Sequence, residues 1–252
     1  MYKGEEMSEF IDRLKQVFQP PPPPMGFRPK STDDTRPKIQ LVAHVRNYPQ
    51  SQIENLAADA IITSELKPVK TDILQGLWMD KGNLEKVDKA IESGADFVVL
   101  PSSGVILPAD KKIGKILQIN SSVTDVLLRT INDLPLDAVL IDEDNENDGS
   151  VTWQKLMLYR RFTGMLTKPV LATISSAVTA AELQLMWEAR VSGVIIDIKS
   201  ASDTAALENL RNLINGLKYP SLKKQEKVMP ILPQAASKTE KLEEPDEDDD
   251  DD

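Results

Sequence analysis

The sequence contains no cysteine and a single histidine, His44, and only 5% of its 252 residues are aromatic. Without cysteine there is no disulfide, no thiol nucleophile and no thiolate ligand for a metal. One histidine cannot build a two- or three-histidine metal centre within a chain, and we predict neither a metal nor a cofactor. No apolar run approaches the roughly 20 residues that span a bilayer, and no apolar signal-peptide core opens the sequence. These absences predict a cytoplasmic protein that does not insert into membranes.

Negative charge is concentrated at the C-terminus. The formal net charge is -10, and residues 238–252 hold ten acidic and two basic residues, so the rest of the chain is nearly neutral. A run of aspartates repels itself and buries nothing, which predicts a linker and a disordered acidic tail over residues 219–252. A polyanion also repels DNA and RNA, so we expect no nucleic-acid partner.

An amphipathic helix is predicted near the N-terminus. Apolar residues recur at three- and four-residue spacing over residues 5–18, which places them on one helical face. Five prolines at positions 20–24 end that helix and favour an extended spacer, so residues 1–37 are predicted to form a helix and a proline-rich tether. Two roles are open for the apolar face. It packs on its own domain or a sister subunit, or it binds a protein partner.

Apolar β-branched runs alternate with helical patterns between residues 38 and 218. Eight strands are predicted, at 39–45, 60–63, 76–79, 97–100, 116–119, 138–141, 170–174 and 194–198. Most of these runs are continuously apolar, which is typical of parallel strands covered on both faces. The alternation predicts a compact (βα)₈ barrel with short crossovers after the second and fourth strands. An open doubly wound parallel sheet is the alternative.

Two stretches of the sequence resemble known barrels. Residues 90–99, AIESGADFVV, resemble the helix-to-strand join of aldolase-type and phosphate-binding barrels. Residues 169–196 resemble the seventh and eighth units of phosphate-binding barrels such as indole-glycerol-phosphate synthase. The resemblance implies a TIM-type barrel with an anion site in the loops after strands 7 and 8. Such loops usually contain glycine, whereas here they read ISSA (174–177) and IKSA (198–201), so hydroxyl groups, helix N-termini or Lys199 would hold the anion.

Candidate site residues follow from the barrel, because active groups lie at the C-terminal ends of its strands. We predict a catalytic set of His44, Asp142 and Lys199. The imidazole can act as a base near neutral pH, the carboxylate can orient it, and a buried amine can form a Schiff base. Each also has a plain structural interpretation, as a hydrogen-bonded or surface-paired side chain. The predicted substrate-binding residues are Arg46, Ser102, Asn120, Ser175, Ser176 and Ser200.

Two classes of function are open from the sequence. One is a degenerate barrel of unknown role, a scaffold or binding protein that uses its terminal segments. The other is a small lyase, isomerase or aldolase that acts on an anionic metabolite, phosphorylated or carboxylated. Self-association into a homo-oligomer is compatible with both. The barrel mouth distinguishes them, since an enzyme needs His44, Asp142 and Lys199 to converge there within about 3 to 6 Å, and a mouth filled with apolar side chains excludes one.

Overall fold

Eight parallel strands form the centre of the molecule. The computed structural model describes residues 8–19, 37–45, 56–65, 73–79, 84–108, 112–142, 150–199 and 202–219. Each strand pairs with the next in chain order, and the eighth pairs with the first, so the sheet is a closed barrel. The strands are β1 (Gln40–Val45), β2 (Ala60–Thr63), β3 (Leu74–Trp78), β4 (Phe97–Pro101), β5 (Gly114–Asn120), β6 (Ala138–Asp142), β7 (Val170–Ile174) and β8 (Gly193–Ile198). This confirms the predicted (βα)₈ barrel and excludes the open sheet.

Helices occupy the N-terminal segment and most of the connections. They are α1 (Glu9–Gln16), α2 (Leu84–Glu92), α3 (Asp125–Ile131), α4 (Trp153–Met165), α5 (Ala180–Glu188) and α6 (Ser202–Gly216). Ten residues (64–73) separate β2 from β3 and twelve (102–113) separate β4 from β5, as expected for the short crossovers predicted there. Within the described ranges, no helix has the length and apolar character that crossing a membrane requires.

The barrel interior is an apolar core built in layers. The register of the strand pairs places inward-facing side chains from alternate strands at the same height, four to a layer. From the N-terminal side, three layers are Ala60, Phe97, Ala138 and Gly193; Val42, Gly76, Ile116 and Leu171; and Ile62, Val99, Leu140 and Ile195. Small residues lie beside large ones in neighbouring layers. Gly76 lies beside Phe97, and a Cβ at position 76 would lie 2.3 Å from the Phe97 ring. The core therefore fixes both the register and the residue sizes.

The outward-facing strand residues form a second apolar layer under the helices. Val139 and Ile141 of β6 and Val194 and Ile196 of β8 cluster with buried side chains of the surrounding helices. Both faces of the strands are thus buried, which explains why their sequences are continuously apolar rather than alternating. The prediction of each strand from such a run was accurate to within two residues at either end.

Helix α1 closes the N-terminal end of the barrel. Phe10, Ile11 and Leu14 are buried in one cluster with the inward-facing strand residues, and the Phe10 ring stacks on Phe97 at 4.5 Å between centroids. The Asp96 carboxylate, just before β4, accepts hydrogen bonds from the Ser8 hydroxyl at 2.6 Å and from the backbone N–H groups of residues 9 and 10, both at 2.9 Å. Of the two roles predicted for residues 5–18, packing on the chain's own domain is the one observed. The protein partner predicted for residues 5–18 stays a prediction.

Candidate active site at the C-terminal mouth

The layers above the apolar core are polar. The register that orders the core places four further side chains in one layer, namely His44, Trp78, Gln118 and Thr173. Pro101, Asp142 and Asp197 follow in the next layer, and Asn120 and Ser175 stand at the ends of their strands. We call this set, with Ile62 at its base, the C-terminal mouth. Active groups of (βα)₈ barrels are built at this end.

The mouth has a polar side and an apolar side. The five neighbouring strands β5 to β8 and β1 contribute the polar side chains, which are Gln118, Asp142, Thr173, Asp197 and His44. The remaining strands β2 to β4 contribute Ile62, Trp78 and Pro101. Beyond Pro101, the loop after β4 exposes Ile106 to solvent. The mouth is thus not filled by apolar side chains, which was the condition that would exclude an enzyme.

His44 and Asp197 form a hydrogen-bonded pair across β1 and β8. The Nδ1 atom of His44 lies 2.8 Å from Oδ1 of Asp197. A carboxylate only accepts hydrogen bonds, so Nδ1 is the donor in this pair, and in the neutral form of the ring Nε2 then keeps its lone pair. His44 is 2% exposed, whereas the Asp197 side chain is 41% exposed and faces solvent at the mouth. The Trp78 ring stacks on the imidazole at 4.4 Å and 13° and fixes its plane.

Two polar atoms in the layer of His44 have no hydrogen-bond partner. They are Nε2 of His44 and Oγ1 of Thr173, both buried, within the part of the chain that the structure describes. A buried polar atom without a partner costs about 1–3 kcal/mol. Buried polar atoms without a partner are rare in folded proteins. At the C-terminal end of a barrel strand, contact with a ligand is the simplest explanation for them.

Asp142 and Lys199, the other predicted catalytic residues, do not join His44. Asp142 is half-buried at the end of β6, and its Oδ2 accepts a hydrogen bond from Nε2 of Gln118 at 2.5 Å. Lys199 is exposed after β8, and its backbone N–H donates to Asp203 at 2.8 Å. Among the described residues, no hydrogen bond or ion pair links the Lys199 amine to His44 or Asp142. The catalytic role of Lys199 therefore stays a prediction.

The predicted substrate-binding residues are scattered around the rim. Asn120 accepts hydrogen bonds from the N–H and hydroxyl of Ser122, at 3.2 and 2.7 Å, and so stabilises a turn. The Ser175 hydroxyl accepts from the N–H of Ala177 at 3.3 Å. Ser102 and Ser176 are exposed. Arg46 and Ser200 lie outside the described residues.

Sequence reasoning missed Asp197 as the partner of His44. A signal exists, because Asp197 interrupts the apolar run of β8 at the same parity as Gly193 and Ile195, which face inward. A carboxylate in a buried parallel strand is costly unless it has a partner.

Carboxylates of the chain itself occupy the loops after β7 and β8. Glu182 accepts hydrogen bonds from the Thr179 N–H and hydroxyl, both at 2.7 Å, and from the Val151 N–H at 2.8 Å. The Thr179 hydroxyl in turn accepts the Glu182 N–H at 3.3 Å, so the two residues form a capping box at the start of α5. Partial burial acts to raise the pKa of Glu182, but these hydrogen bonds and the charge of Lys155 lower it on balance. After β8, Asp203 accepts the Lys199 N–H in the same manner.

The described residues contain no group of three or more histidine, aspartate or glutamate side chains placed to hold a metal ion. The described side chains of the mouth offer an imidazole, two carboxylates, an amide and a hydroxyl. Of these, the imidazole is the group that can exchange a proton near neutral pH.

The comparisons with known proteins agree with the fold. No protein-family model matches the chain, and no curated protein matches its sequence. Among solved structures, two variants of the tryptophan synthase alpha-subunit from Pyrococcus furiosus are similar, each at 14% identity, with TM-scores of 0.51 and 0.52. The match covers 71% of this chain and 98% of each of those chains. The tryptophan synthase α2β2 complex of the same organism is similar too, at 14% identity and a TM-score of 0.50 over 71% of this chain and 98% of that one. The likeness concerns the fold, and the chain is a TIM-type (βα)₈ barrel.

Proposed function

We propose that the protein is an enzyme that moves a proton on a small molecule, as lyases and isomerases do, with His44 as the base. One observation carries this proposal. His44 is buried at the C-terminal end of β1, its Nδ1 is bonded to Asp197, and its Nε2 has no partner within the described residues. Nε2 is the atom with the lone pair, so it is the atom that accepts a proton.

The surroundings of His44 suit this role. A proton on Nε2 creates an imidazolium, and the Asp197 carboxylate stabilises that charge while it keeps the ring oriented. The face of Trp78 adds an attraction for the cation. The scaffold interpretation has less support, because the apolar face of α1 is buried in the barrel rather than presented to a partner.

Proton exchange tests the proposal without knowledge of the product. The untagged protein is incubated in D₂O with a panel of small carbonyl compounds, with and without amino groups, and NMR measures the loss of the protons next to the carbonyl. We expect accelerated exchange for at least one compound. We expect His44→Gln to slow it by about 10²- to 10⁴-fold, which is the usual contribution of a general base.

Two further variants separate chemistry from stability. Asp197→Asn keeps a hydrogen-bonding group beside Nδ1 but removes the charge, and it should slow exchange by about 10- to 100-fold. Asp133→Asn removes the same charge at the opposite end of the barrel and should leave exchange unchanged. Circular dichroism checks that each variant is folded. Exchange that persists in a folded His44→Gln protein, or that no compound shows, refutes the proposal.

A further inference from the structure

We propose that the C-terminal mouth binds a small molecule with an ammonium group on an apolar body, rather than a phosphate or a carboxylate. This inference rests on the proposed function, since it names the substrate class of the same site. It replaces the anionic ligand that the sequence predicted, and it depends on the donors and acceptors that the mouth offers.

N–H groups in the loops after β7 and β8 are already used within the chain. Phosphate sites of (βα)₈ barrels are formed by the loops after strands 7 and 8, through backbone N–H groups at a helix N-terminus. Here Glu182 accepts the N–H of Thr179, and Asp203 accepts the N–H of Lys199. A phosphate that used these two N–H groups would have to displace the carboxylates.

The charge of the mouth is negative. Asp142 and Asp197 end β6 and β8, and none of the inward-facing strand residues described in the upper layers is a lysine or arginine. Such a mouth attracts cations.

The unpartnered atoms are hydrogen-bond acceptors. Nε2 of the neutral His44 ring only accepts, Oγ1 of Thr173 can accept, and both are buried without a partner among the described residues. The Asp142 carboxylate, one layer above, accepts as well. An ammonium group has three donors and no acceptor, so it complements this set, whereas phosphate and carboxylate present acceptors to acceptors. This observation is independent of the charge count and points to the same ligand.

The other side of the mouth defines the body of the ligand. Trp78 and Pro101, both partly exposed, give strands β3 and β4 an apolar surface across the mouth from Asp197. A ligand that satisfies both sides has a charged end and an apolar end. Hydrophobic walls with a few oriented polar groups are the usual form of a small-molecule site.

A matched set of three probes tests the inference. The probes are 2-phenylethylamine, 2-phenylethanol and phenylacetate, which share a body and differ in the charge of one end. Because His44 is the single histidine, its ring C–H resonance in the NMR spectrum of the untagged chain reports binding beside it. We expect 2-phenylethylamine to shift this resonance in a saturable manner at about tenfold lower concentration than either other probe.

Variants at matched positions complete the test. Asp142→Asn should weaken binding of 2-phenylethylamine by about tenfold or more, while Asp133→Asn, which removes the same charge at the N-terminal end, should not change it. Tighter binding of phenylacetate, or unchanged binding by a folded Asp142→Asn protein, overturns the inference. Binding is measured without turnover. Amine binding without exchange activity therefore refutes only the proposed function. Exchange that depends on His44 but prefers anionic compounds refutes only this inference.

Discussion

Replacement of Phe10 by alanine should cost about 4 kcal/mol of unfolding free energy, although the residue lies on a helix that the sequence separates from the barrel by a proline-rich segment. Phe10 is fully buried, and its ring stacks on Phe97 inside the barrel. Truncation of a buried phenylalanine typically costs about 3–5 kcal/mol of unfolding free energy. Because the stacking on Phe97 is lost as well, we expect a cost in the upper part of that range. The three hydrogen bonds to Asp96 hold α1 in place, so the space left by the ring cannot close by a shift of the helix.

Urea unfolding followed by circular dichroism measures this cost. The midpoint should fall with little change in the slope, because the surface exposed on unfolding stays nearly the same. Gln16→Ala, an exposed position on the same helix, should change the stability by less than about 0.5 kcal/mol. A loss below about 1 kcal/mol for Phe10→Ala would mean that α1 is not docked in solution and that its apolar face is free for a partner. It would thus refute the interpretation of α1 as the closure of the barrel.

Two further predictions concern the outer surface of the barrel. The pKa of Glu182 is lowered in the folded state, so its carboxylate stabilises the fold above the unfolded pKa of about 4.5 and loses that effect as the pH falls through the folded value. Glu182→Ala should therefore cost about 1 kcal/mol at pH 7 in urea unfolding, and a difference that fails to narrow below pH 4.5 contradicts this. Trp153 and Met157, one turn apart on α4, are 77% and 66% exposed, which favours self-association through this face. Sedimentation velocity should detect an oligomer that Trp153→Glu with Met157→Glu dissociates, and a monomeric parent protein would exclude it.

The strands and their order were predictable from sequence because parallel strands covered on both faces leave a local signal. Each is a short apolar run, and the helices between them bring each run into place beside the previous one. The docking of α1 has no such signal. It depends on Asp96, more than eighty positions from Ser8, and on small side chains such as Gly114 and Gly193 that leave room for Ile11 and Leu14.

The turns after the helices also differ in whether the local sequence predicts them. Gly94 takes a left-handed conformation with φ of 87° after α2, as its position at a helix end predicts. After α5 the left-handed residue is Arg190, with φ of 72°, while Gly193 lies in β8 against Leu14. Sequence reasoning assigns a turn to a glycine by default, and here packing decides otherwise. The Arg190 guanidinium lies over the Phe18 ring at 5.2 Å, a contact that accompanies this exception.

The site was half predictable for a related reason. His44 and Asp142 stand at strand ends, which the order of elements reveals. The pairing of His44 with Asp197 joins residues 153 positions apart and requires the register of β1 on β8. A slip of one residue would turn Asp197 away from the interior and leave His44 without its partner. The register is set by the apolar layers below, so the core determines which polar residues meet at the mouth.

A sequence resemblance in the loops between strands and helices therefore says less about function than the backbone N–H groups of those loops, which either bind a ligand or are used within the chain. In a barrel that binds phosphate, the N–H groups after the seventh and eighth strands are left for the ligand. In this chain Glu182 and Asp203 accept N–H groups in those two loops, which stabilises the starts of α5 and α6. One N–H group cannot serve a carboxylate and a phosphate fully at the same time. Among the described residues of the mouth, the buried polar atoms without a hydrogen-bond partner are instead Nε2 of His44 and Oγ1 of Thr173, and the ligand that we propose would donate hydrogen bonds to them.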